Sequence, residues 1–510
     1  MLAAMDALDT KLCYQALAAR DARFDGRLFV GVTSTGVYCR PVCPARTAKA
    51  VNCRFFASAA AAQAAGFRPC LRCRPETAPE HGAWRGTSNT VARGVELIAL
   101  GALDGENASV EALAERLGVG ARHLRRLFDE HIGASPIAVA QTRRISFAKQ
   151  LLHETRLPMS EVALAAGFGS VRRFNEIFQT LFGRPPGALR RKAVTSLREG
   201  SAETAGVTLL LRYRPPYDFS ALLAFFRARA IVGVELVSDD CYMRTFGEEG
   251  QVGSVEVRHE PAKLALRVNV RTGNVGVLPR VVDRVRRAFD VSSDVALIGA
   301  QLATDPLLAP LLEQRPGLRV PGGWSGFELA ARAVLGQQVS VAAARQLGER
   351  LARLCGSSVR LGPSLVRLFP SPEQVAGTDL AELGAPRARR NALTALAQAA
   401  LESPHLFDPQ STLADTVARL RAVRGIGAWT AHYIALRAAR DPDAFPSSDR
   451  GLLRGLALCQ GEAGTPDGLE RRAERWRPWR AYAAQHLWAA DAAASTQTTP
   501  ARENAHGKRE

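Results

Sequence analysis

The sequence predicts a multidomain α+β protein. A small cysteine-rich domain is followed by an all-α domain, an α/β domain with an antiparallel sheet, and a second all-α domain. Three observations predict this order. The 510 residues suffice for about three or four domains of ordinary size. Four of the nine cysteines lie between positions 39 and 73. Beyond this cluster the apolar periodicity is helical, then alternates as in strands, and then becomes helical again.

The cysteine-rich domain, residues 1–80, contains two short cysteine hooks, Cys39-Arg-Pro-Val-Cys43 and Cys70-Leu-Arg-Cys73. Each hook holds two thiolates close together, and two such hooks suit a tetrahedral zinc site with four sulfur ligands. Cys39, Cys43, Cys70 and Cys73 are therefore predicted to bind one Zn²⁺. The alternative is a closed zinc knuckle that only stabilises the fold. Cys53 has no partner in this pattern and is predicted to be a small apolar residue in the core.

An internal repeat indicates two helix-turn-helix motifs between residues 88 and 193. The strings LAERLGV, from Leu113 to Val119, and VALAAGF, from Val162 to Phe168, share an Ala-x-x-x-Gly core. The glycine lets the chain turn sharply between two packed helices. The connecting helix is predicted to begin at Ser135-Pro136, an N-cap followed by a first-turn proline. Each repeat precedes a helix with one apolar and one basic face, and the predicted DNA contacts are Arg122, Arg125, Arg172 and Arg173. A solvated surface charge is the alternative for each of them.

The second half of the chain changes pattern near residue 293. Residues 207–292 contain the alternating strings VTLLLRY and LALRVNV, with helical patterns near Phe219–Arg229 and Val281–Phe289. Residues 293–490 are helical in pattern, with breaks at Gly and Pro. Polar, turn-rich stretches at 76–89 and 198–206 are predicted linkers. Residues 491–510 are predicted to form a disordered tail.

The string VRGIGAWTAHY, from Val423 to Tyr433, indicates a helix-hairpin-helix motif. In a Gly-Ile-Gly turn the backbone N–H groups point outward, and together with a helix N-terminus they suit a DNA phosphate. Gly425 and Gly427 are therefore predicted to lie against DNA. The string FPSSDRGLLRGL follows and contains Asp449. Taken alone, Asp449 would be interpreted as a helix N-cap or a surface acid.

The net charge of +18 and the pI near 10.2 favour a polyanionic partner, with DNA or RNA first. The alternative is an arginine-rich composition that reflects a GC-rich genome. No apolar run is long enough to span a membrane, and the N-terminus lacks the pattern of a signal peptide. We therefore expect a cytoplasmic, nucleoid-associated monomer without a membrane partner.

The N-terminal strings GVTSTGVYCRPVCPAR and AAGFRPCLRCRPE resemble the N-terminal domain of the Ada adaptive-response protein, over residues 10–76. The paired helix-turn-helix motifs, which end in FGRPPGALRR, resemble an AraC-type DNA-binding domain. The resemblance implies that Cys39 accepts a methyl group from a DNA methylphosphotriester, with the other three cysteines as companion ligands. It also implies a transcriptional activator, for which RNA polymerase is a possible partner.

The second half resembles the AlkA-type 3-methyladenine DNA glycosylases, over residues 207–489. The strings that carry the resemblance are the hairpin with Asp449, RYRPPYDFSALLAFFRARA, RPGLRVPG, AVLGQQVSVAAARQL and RWRPWRAYAAQHLW. The resemblance implies that Asp449 is the catalytic carboxylate. It also implies that Trp429, Tyr433 and Trp488 form an aromatic pocket for a flipped, alkylated base. Core packing is the alternative role for each aromatic side chain.

Two positions bear on the mechanism that this resemblance implies. Members of the superfamily that also cut the strand carry Lys where Trp429 stands, so a monofunctional glycosylase is predicted. Well-known AlkA-type enzymes insert an apolar wedge into DNA at the position of Gln338. A glutamine there fills the gap by hydrogen bonding or leaves the wedge role unfilled.

Three hypotheses follow for the whole chain. The first is a bifunctional protein, both a glycosylase and an alkylation-responsive activator. The second is a plain glycosylase whose N-terminal half only binds DNA. The third is a transcription regulator whose glycosylase half has residual or no activity. Cys39 in an intact hook argues against the second, and Asp449 in an intact motif argues against the third.

Overall fold

The structure is a computed structural model that describes residues 9–79, 89–99, 101–104, 108–190, 206–248, 250–409 and 412–497. Most of the first predicted linker and nearly all of the second lie outside the described residues, as does the end of the predicted tail. We call residues 9–190 the N-terminal half and residues 206–497 the C-terminal half.

The cysteine-rich unit is built on a four-stranded sheet with strand order β3-β1-β2-β4. Strand β1 pairs antiparallel with β2 and β3, while β2 runs parallel to β4. Strands β2 and β4 lead into the two cysteine hooks, so the sheet brings the hooks together. The elements are α1 Thr10–Ala18, β1 Phe29–Val32, β2 Val37–Cys39, β3 Cys53–Phe56, α2 Ala59–Ala64 and β4 Arg68–Pro69.

Two helix-turn-helix motifs follow, joined by the long helix α6. Ser135 caps α6 and Pro136 occupies its first turn, as predicted. Gly118 and Gly167, the repeat glycines, have φ of +68° and +79°, a conformation that a side chain disfavours. The helices are α3 Asn89–Ala99, α4 Val110–Arg116, α5 Ala121–Ile132, α6 Pro136–Glu154, α7 Met159–Ala165, α8 Val171–Phe182 and α9 Pro186–Leu189.

The C-terminal half begins with a five-stranded antiparallel sheet of strand order β5-β9-β8-β7-β6. Helices α10 and α11 belong to this unit, and α10 spans the residues predicted to be helical. The elements are β5 Val207–Arg212, α10 Phe219–Arg229, β6 Glu235–Val237, β7 Cys241–Glu248, β8 Gln251–Glu260, β9 Ala265–Thr272 and α11 Leu278–Ala288.

The remaining residues form a helical unit around its own apolar core. Its last helix, α22, runs to Gln497, so the first part of the predicted disordered tail is helical. The helices are α12 Val295–Leu302, α13 Ala309–Gln314, α14 Gly326–Leu335, α15 Val341–Cys355, α16 Pro372–Ala376, α17 Arg387–Glu402, α18 Leu413–Arg421, α19 Ala428–Arg437, α20 Arg450–Gln460, α21 Pro466–Ala473 and α22 Arg480–Gln497.

The two halves are joined by a shared core rather than by a linker alone. Phe174 and Phe178 of α8 belong to the same buried cluster as Leu209 of β5 and Val268 of β9. Elsewhere the halves face each other across a cleft of about 1500 Å³ and meet through ion pairs. Among the described helices, none is both long and apolar enough to cross a membrane.

Helices α20 and α22 approach each other closely at Gly455. A Cβ atom there would lie 2.2 Å from the Leu487 backbone oxygen. We therefore expect Gly455→Ala to lower the stability of the protein by about 1–3 kcal/mol, because backbone cannot yield as a side chain does. Thermal unfolding of the full chain measures the effect. The control is Leu458→Ala in the same helix, a position 55% exposed, which should change stability by less than about 0.5 kcal/mol. Equal melting curves for both variants would contradict this packing.

Candidate active site and candidate metal centre

The carboxylate of Asp449 lies at the meeting point of three helices. Its Oδ2 accepts a hydrogen bond from Trp429 Nε1 of α19 at 2.8 Å. Its Oδ1 accepts one from Trp488 Nε1 of α22 at 2.8 Å and one from the Leu452 backbone N–H at 3.0 Å. Asp449 thus caps α20, as the alternative interpretation expected, and is also bound by both predicted pocket tryptophans. Three donors therefore hold the carboxylate in one position.

The aromatic side chains form two walls beside this carboxylate. Trp429 and Tyr433 are four residues apart on α19, and their rings stack with centroids 5.4 Å apart and an interplanar angle of 15°. Trp488 meets Tyr433 edge to face at 6.3 Å and 73°. All three side chains are partly buried. Each indole N–H is used on Asp449, which fixes the orientation of both tryptophans.

Arg437 is a residue of this site that the sequence interpretation missed. It lies on α19 four residues after Tyr433, so it shares a helix face with the pocket aromatics, and this spacing was the available signal. Its guanidinium carbon lies 4.7 Å from the Phe225 ring centroid, 5.3 Å from Tyr433 and 4.9 Å from Trp488. Burial lowers the pKa of Arg437 to about 10, so it is still a cation at neutral pH. It stabilises the aromatic walls through cation–π contacts.

The predicted hairpin joins α18 to α19 through Gly425, Ile426 and Gly427. Ile426 is buried and anchors the turn. Gly425 has φ +91°, and a Cβ atom there would lie 2.4 Å from Ala392 Cβ. A Cβ atom on Gly427 would meet nothing within 4 Å, and no side chain caps α19. The first N–H groups of α19 are therefore accessible to an anion.

Gln338 lies in the turn between α14 and α15 with a left-handed backbone, φ +56°, and an exposed side chain. Its neighbour Gln337 connects this turn to the hairpin. The Gln337 amide donates to the Gly425 carbonyl at 3.1 Å and to Thr430 Oγ1 at 3.1 Å. The turn that presents Gln338 is therefore held at a fixed distance from Gly425 and Gly427.

The four predicted zinc ligands come together in the N-terminal half. One sulfur atom from each of Cys39, Cys43, Cys70 and Cys73 lies within 4.8 Å of the other three, and all four residues are buried. A tetrahedral zinc site with Zn–S bonds of about 2.3 Å requires S···S distances of about 3.8 Å. Thiolates are ligands that Zn²⁺ prefers, so the donor set and its spacing fit this ion.

Hydrogen bonds to sulfur distinguish the cysteines. The Arg72 backbone N–H donates to Cys70 Sγ at 3.4 Å, and the Arg40 N–H donates to Cys73 Sγ at 3.4 Å. The Ala45 backbone also bonds to Cys43. Among the backbone donors of the described residues, none bonds to Cys39 Sγ. An N–H donor withdraws electron density from a thiolate and so lowers its nucleophilicity. Cys53 lies outside the cluster, with its thiol 3.4 Å from the Lys49 carbonyl.

The four predicted DNA-contact arginines lie on α5 and α8, the second helices of the two motifs, and all are exposed. Arg125 pairs with Glu111 at 2.6 Å, and Arg172 pairs with Glu176 at 2.9 Å. Exposed ion pairs contribute little, so these arginines can exchange a carboxylate for a phosphate at small cost. The zinc cluster, the arginine faces and Asp449 form three separate sites, and none of their residues lines the cleft between the halves.

Four family models match consecutive parts of the chain. They are the metal binding domain of Ada over residues 12–76, a helix-turn-helix domain over 113–192, the AlkA N-terminal domain over 208–325, and the HhH-GPD superfamily of base excision DNA repair proteins over 331–481. The third match extends beyond the predicted boundary at residue 292.

The fold and its sites define a multidomain DNA-binding protein, with a zinc unit and helix-turn-helix motifs joined to a helix-hairpin-helix glycosylase fold. The chain is 39% identical over 487 residues to the Mycobacterium tuberculosis protein named "Probable bifunctional transcriptional activator/DNA repair enzyme AlkA", which covers 94% of this chain and 96% of that protein. The chain belongs to this family, in which an Ada-type N-terminal half is fused to an AlkA-type DNA-3-methyladenine glycosylase.

Each half also has relatives of its own. DNA-3-methyladenine glycosylase 2 of Escherichia coli is 36% identical over 54% of this chain and 95% of that protein. The Escherichia coli "Bifunctional transcriptional activator/DNA repair enzyme Ada" is 36% identical over 30% of this chain and 42% of that protein. The fold is also similar to the 3-methyladenine DNA-glycosylase of Archaeoglobus fulgidus, with a TM-score of 0.50 and 20% identity over 56% of this chain and 98% of that chain.

The two hairpin glycines should respond differently to the same substitution. Gly425→Ala places Cβ against Ala392 at a left-handed position, and we expect a loss of stability of more than about 1 kcal/mol. Gly427→Ala has open space and a negative φ, so its stability should change by less than about 0.5 kcal/mol. Thermal unfolding of the two variants side by side tests this. Equal melting temperatures would show that Gly425 is not constrained by its conformation.

Proposed function

We propose that this protein removes alkylated bases of the 3-methyladenine type from double-stranded DNA by hydrolysis. We also propose that it senses methylphosphotriesters through Cys39 and activates transcription in response. The observation that carries the excision proposal is the carboxylate of Asp449, held by two indole N–H groups beside stacked aromatic rings.

Asp449 serves excision as a fixed anion. An ionised carboxylate has about four lone-pair positions, and three are occupied by Trp429, Trp488 and the Leu452 N–H. The remaining position can face the sugar. As the bond between sugar and base breaks, positive charge develops on the sugar, and the carboxylate stabilises it and orients the attacking water. Trp429 occupies the place of the Schiff-base lysine, so the product is an abasic site in an intact strand.

The aromatic walls select the base. A purine methylated at a ring nitrogen is cationic, and stacking and cation–π contacts with an aromatic ring stabilise it by about 0.5–2 kcal/mol for each good contact. Its charge also makes it a good leaving group, so little acid catalysis is needed. Flipping the base out of the helix costs a few kcal/mol, and a weakly paired, damaged base costs less. Gly425 and Gly427 would hold the backbone phosphate during this step, while Gln338 would fill the gap in the duplex.

Methyl transfer uses Cys39, the thiolate to which no backbone donor of the described residues bonds. Bound Zn²⁺ keeps the four thiols deprotonated at neutral pH. Cys39 Sγ attacks the methyl carbon of the phosphotriester, an S–C bond forms, and the C–O bond breaks with its electron pair moving to the phosphate oxygen. The thiolate loses one negative charge. Repulsion of the DNA backbone therefore decreases, and DNA affinity rises as a switch.

The remaining assignments follow from these two activities. Arg122, Arg125, Arg172 and Arg173 contact the promoter, and RNA polymerase is the partner of the activated form. The protein acts as a monomer on chromosomal DNA in the cytoplasm. The functional units are residues 1–80, 88–193, 207–292 and 293–490. The match to the AlkA N-terminal domain continues past the third of these boundaries, to residue 325.

Asp449→Asn tests the excision proposal. Asn also caps helices well, so the fold should survive, while the loss of the negative charge should slow base release by at least about 100-fold. Released bases from methylated duplex DNA are quantified alongside DNA binding, which should persist. The control is Asp467→Asn, an exposed acid on α21, which should retain the wild-type rate. Undiminished excision by Asp449→Asn would refute the assignment. A wild-type protein that binds methylated DNA but releases no base would instead favour a pure regulator.

Cys39→Ser tests the methyl acceptor. Incubation with DNA that carries methylphosphotriesters should increase the mass of the wild-type peptide containing Cys39 by about 14 Da, because a methyl group replaces a hydrogen. Cys39→Ser should take up no methyl group and should lose methylation-dependent DNA binding. Cys53→Ser is the matched control, since Cys53 lies outside the cluster. Methyl uptake by Cys39→Ser at another cysteine would identify a different acceptor.

A further inference from the structure

Helix α3 of the N-terminal half inserts a buried arginine into the C-terminal half. Arg93 Nη2 donates to Asp441 Oδ2 at 2.7 Å, and the two side chains are 2% and 3% exposed. The other oxygen of Asp441 accepts from the Asp443 backbone N–H at 3.0 Å. Both carboxylate oxygens are therefore bound, one by the N-terminal half and one by the turn that follows Asp441.

A second residue of α3 reaches the same segment. Glu96, one turn after Arg93, pairs with Arg287 Nη1 of α11 at 2.9 Å. Arg287 Nη2 in turn donates to the Ala438 carbonyl at 2.6 Å. One face of α3 thus binds the chain directly at Asp441 and, through Arg287, at Ala438.

The contacted segment leads to the carboxylate of the active site. It begins where α19 ends, at Arg437, and finishes at Asp449, the N-cap of α20. Within it Arg440 has a left-handed backbone, φ +59°, which a non-glycine residue adopts only when its surroundings enforce it. Two ion pairs hold this backbone conformation. One joins Arg440 itself to Asp290, and the other joins the next residue, Asp441, to Arg93. Ala444 and Phe445 then enter the core, and the Asp449 N–H bonds to the Pro446 carbonyl at 2.9 Å.

We propose that Arg93 is a positioning residue for base excision. The ion pair between Arg93 and Asp441 lets helix α3 of the N-terminal half fix the segment that carries Asp449. The inference rests on the proposed excision by Asp449. It goes beyond that proposal because it makes the glycosylase of this chain depend on a side chain outside the glycosylase fold.

The physical reason is the burial of Asp441. Without Arg93 this carboxylate would be buried with a single backbone donor, and a buried charge without its partner forces the surrounding chain to rearrange. The rearrangement would begin at the left-handed turn and reach Asp449, whose hydrogen bonds to two indoles tolerate little displacement. A misplacement of about 1 Å in a catalytic group can cost about 100-fold in rate.

The test compares variants of two ion pairs that both join the halves. Arg93→Met breaks the pair with Asp441, and Arg116→Met breaks the pair between α4 and Asp408, which is remote from the 437–449 segment in sequence. The readouts are the single-turnover rate of base release from methylated duplex DNA at saturating enzyme, and the affinity for a duplex with an abasic-site analogue. Arg93→Met should slow release by about tenfold or more, with affinity within about threefold of wild type. Arg116→Met should retain the wild-type rate.

Two further variants separate positioning from general destabilisation. In the wild type a single nitrogen of Arg93 contacts Asp441. Arg93→Lys keeps a cation that can make this contact, so most of the wild-type rate of base release should be retained. Adding Asp441→Asn to Arg93→Met removes the unpaired buried charge and should recover part of it. If thermal unfolding shows that Arg93→Met does not fold, the single variant Asp441→Asn replaces it as the test. Asp441→Asn should slow base release and should bind DNA normally.

Each other outcome has a definite meaning. A wild-type rate for Arg93→Met, or for Asp441→Asn where the first variant does not fold, overturns the inference. Equal slowing by Arg93→Met and Arg116→Met also overturns it, because the contact would then act through docking of the halves in general. A wild-type protein that releases no base refutes the proposed function instead, and the two failures are therefore distinguishable.

Discussion

The hydrogen bonds from two indole N–H groups to one carboxylate are the constraint that organises the C-terminal half. Trp429, Asp449 and Trp488 come from α19, α20 and α22, so these helices can only pack in an arrangement that brings the three side chains together. Glycines on α20 make that arrangement possible. A Cβ atom on Gly451 would lie 3.0 Å from Asp449 Oδ1 and 3.0 Å from Trp488 Cδ1. The close packing of α20 against α22 therefore also brings Trp488 within hydrogen-bond distance of Asp449.

The two groups that we propose to be reactive, Asp449 and Cys39, differ in the N–H groups that contact them. Asp449 accepts three hydrogen bonds, which hold the carboxylate in one position and leave a lone-pair position open. In the cysteine cluster the backbone donors bond to Cys43, Cys70 and Cys73. This contrast supports the proposed role of Cys39 as the nucleophile. Hydrogen-bond donors thus fix the carboxylate at one site and leave one sulfur without a backbone donor at the other.

Arginine has two different uses in this chain, and composition does not separate them. Arg319 is fully buried and donates to four backbone carbonyls, those of Asp290, Ser293, Arg214 and Pro216. Arg93 and Arg437 are also buried. Arg122 and Arg173 are exposed on helix faces that suit DNA. The net charge of +18 therefore includes arginines that hold the units together, and it overstates the charge presented to a polyanion.

Local sequence patterns were sufficient to predict the order of the units, the cysteine ligands, the repeat glycines of the helix-turn-helix motifs and the helix-hairpin-helix turn. These features depend on residues close together in the chain, where spacing and backbone conformation limit what can form. Four other features are visible only in the folded molecule. The second helix-turn-helix motif shares a core with the sheet, and both indoles bind Asp449. Arg437 lies among the aromatic rings, and Arg93 reaches Asp441. These contacts join residues from distant parts of the chain. A pairing of that kind is set by the packing of whole helices, and no local pattern contains it.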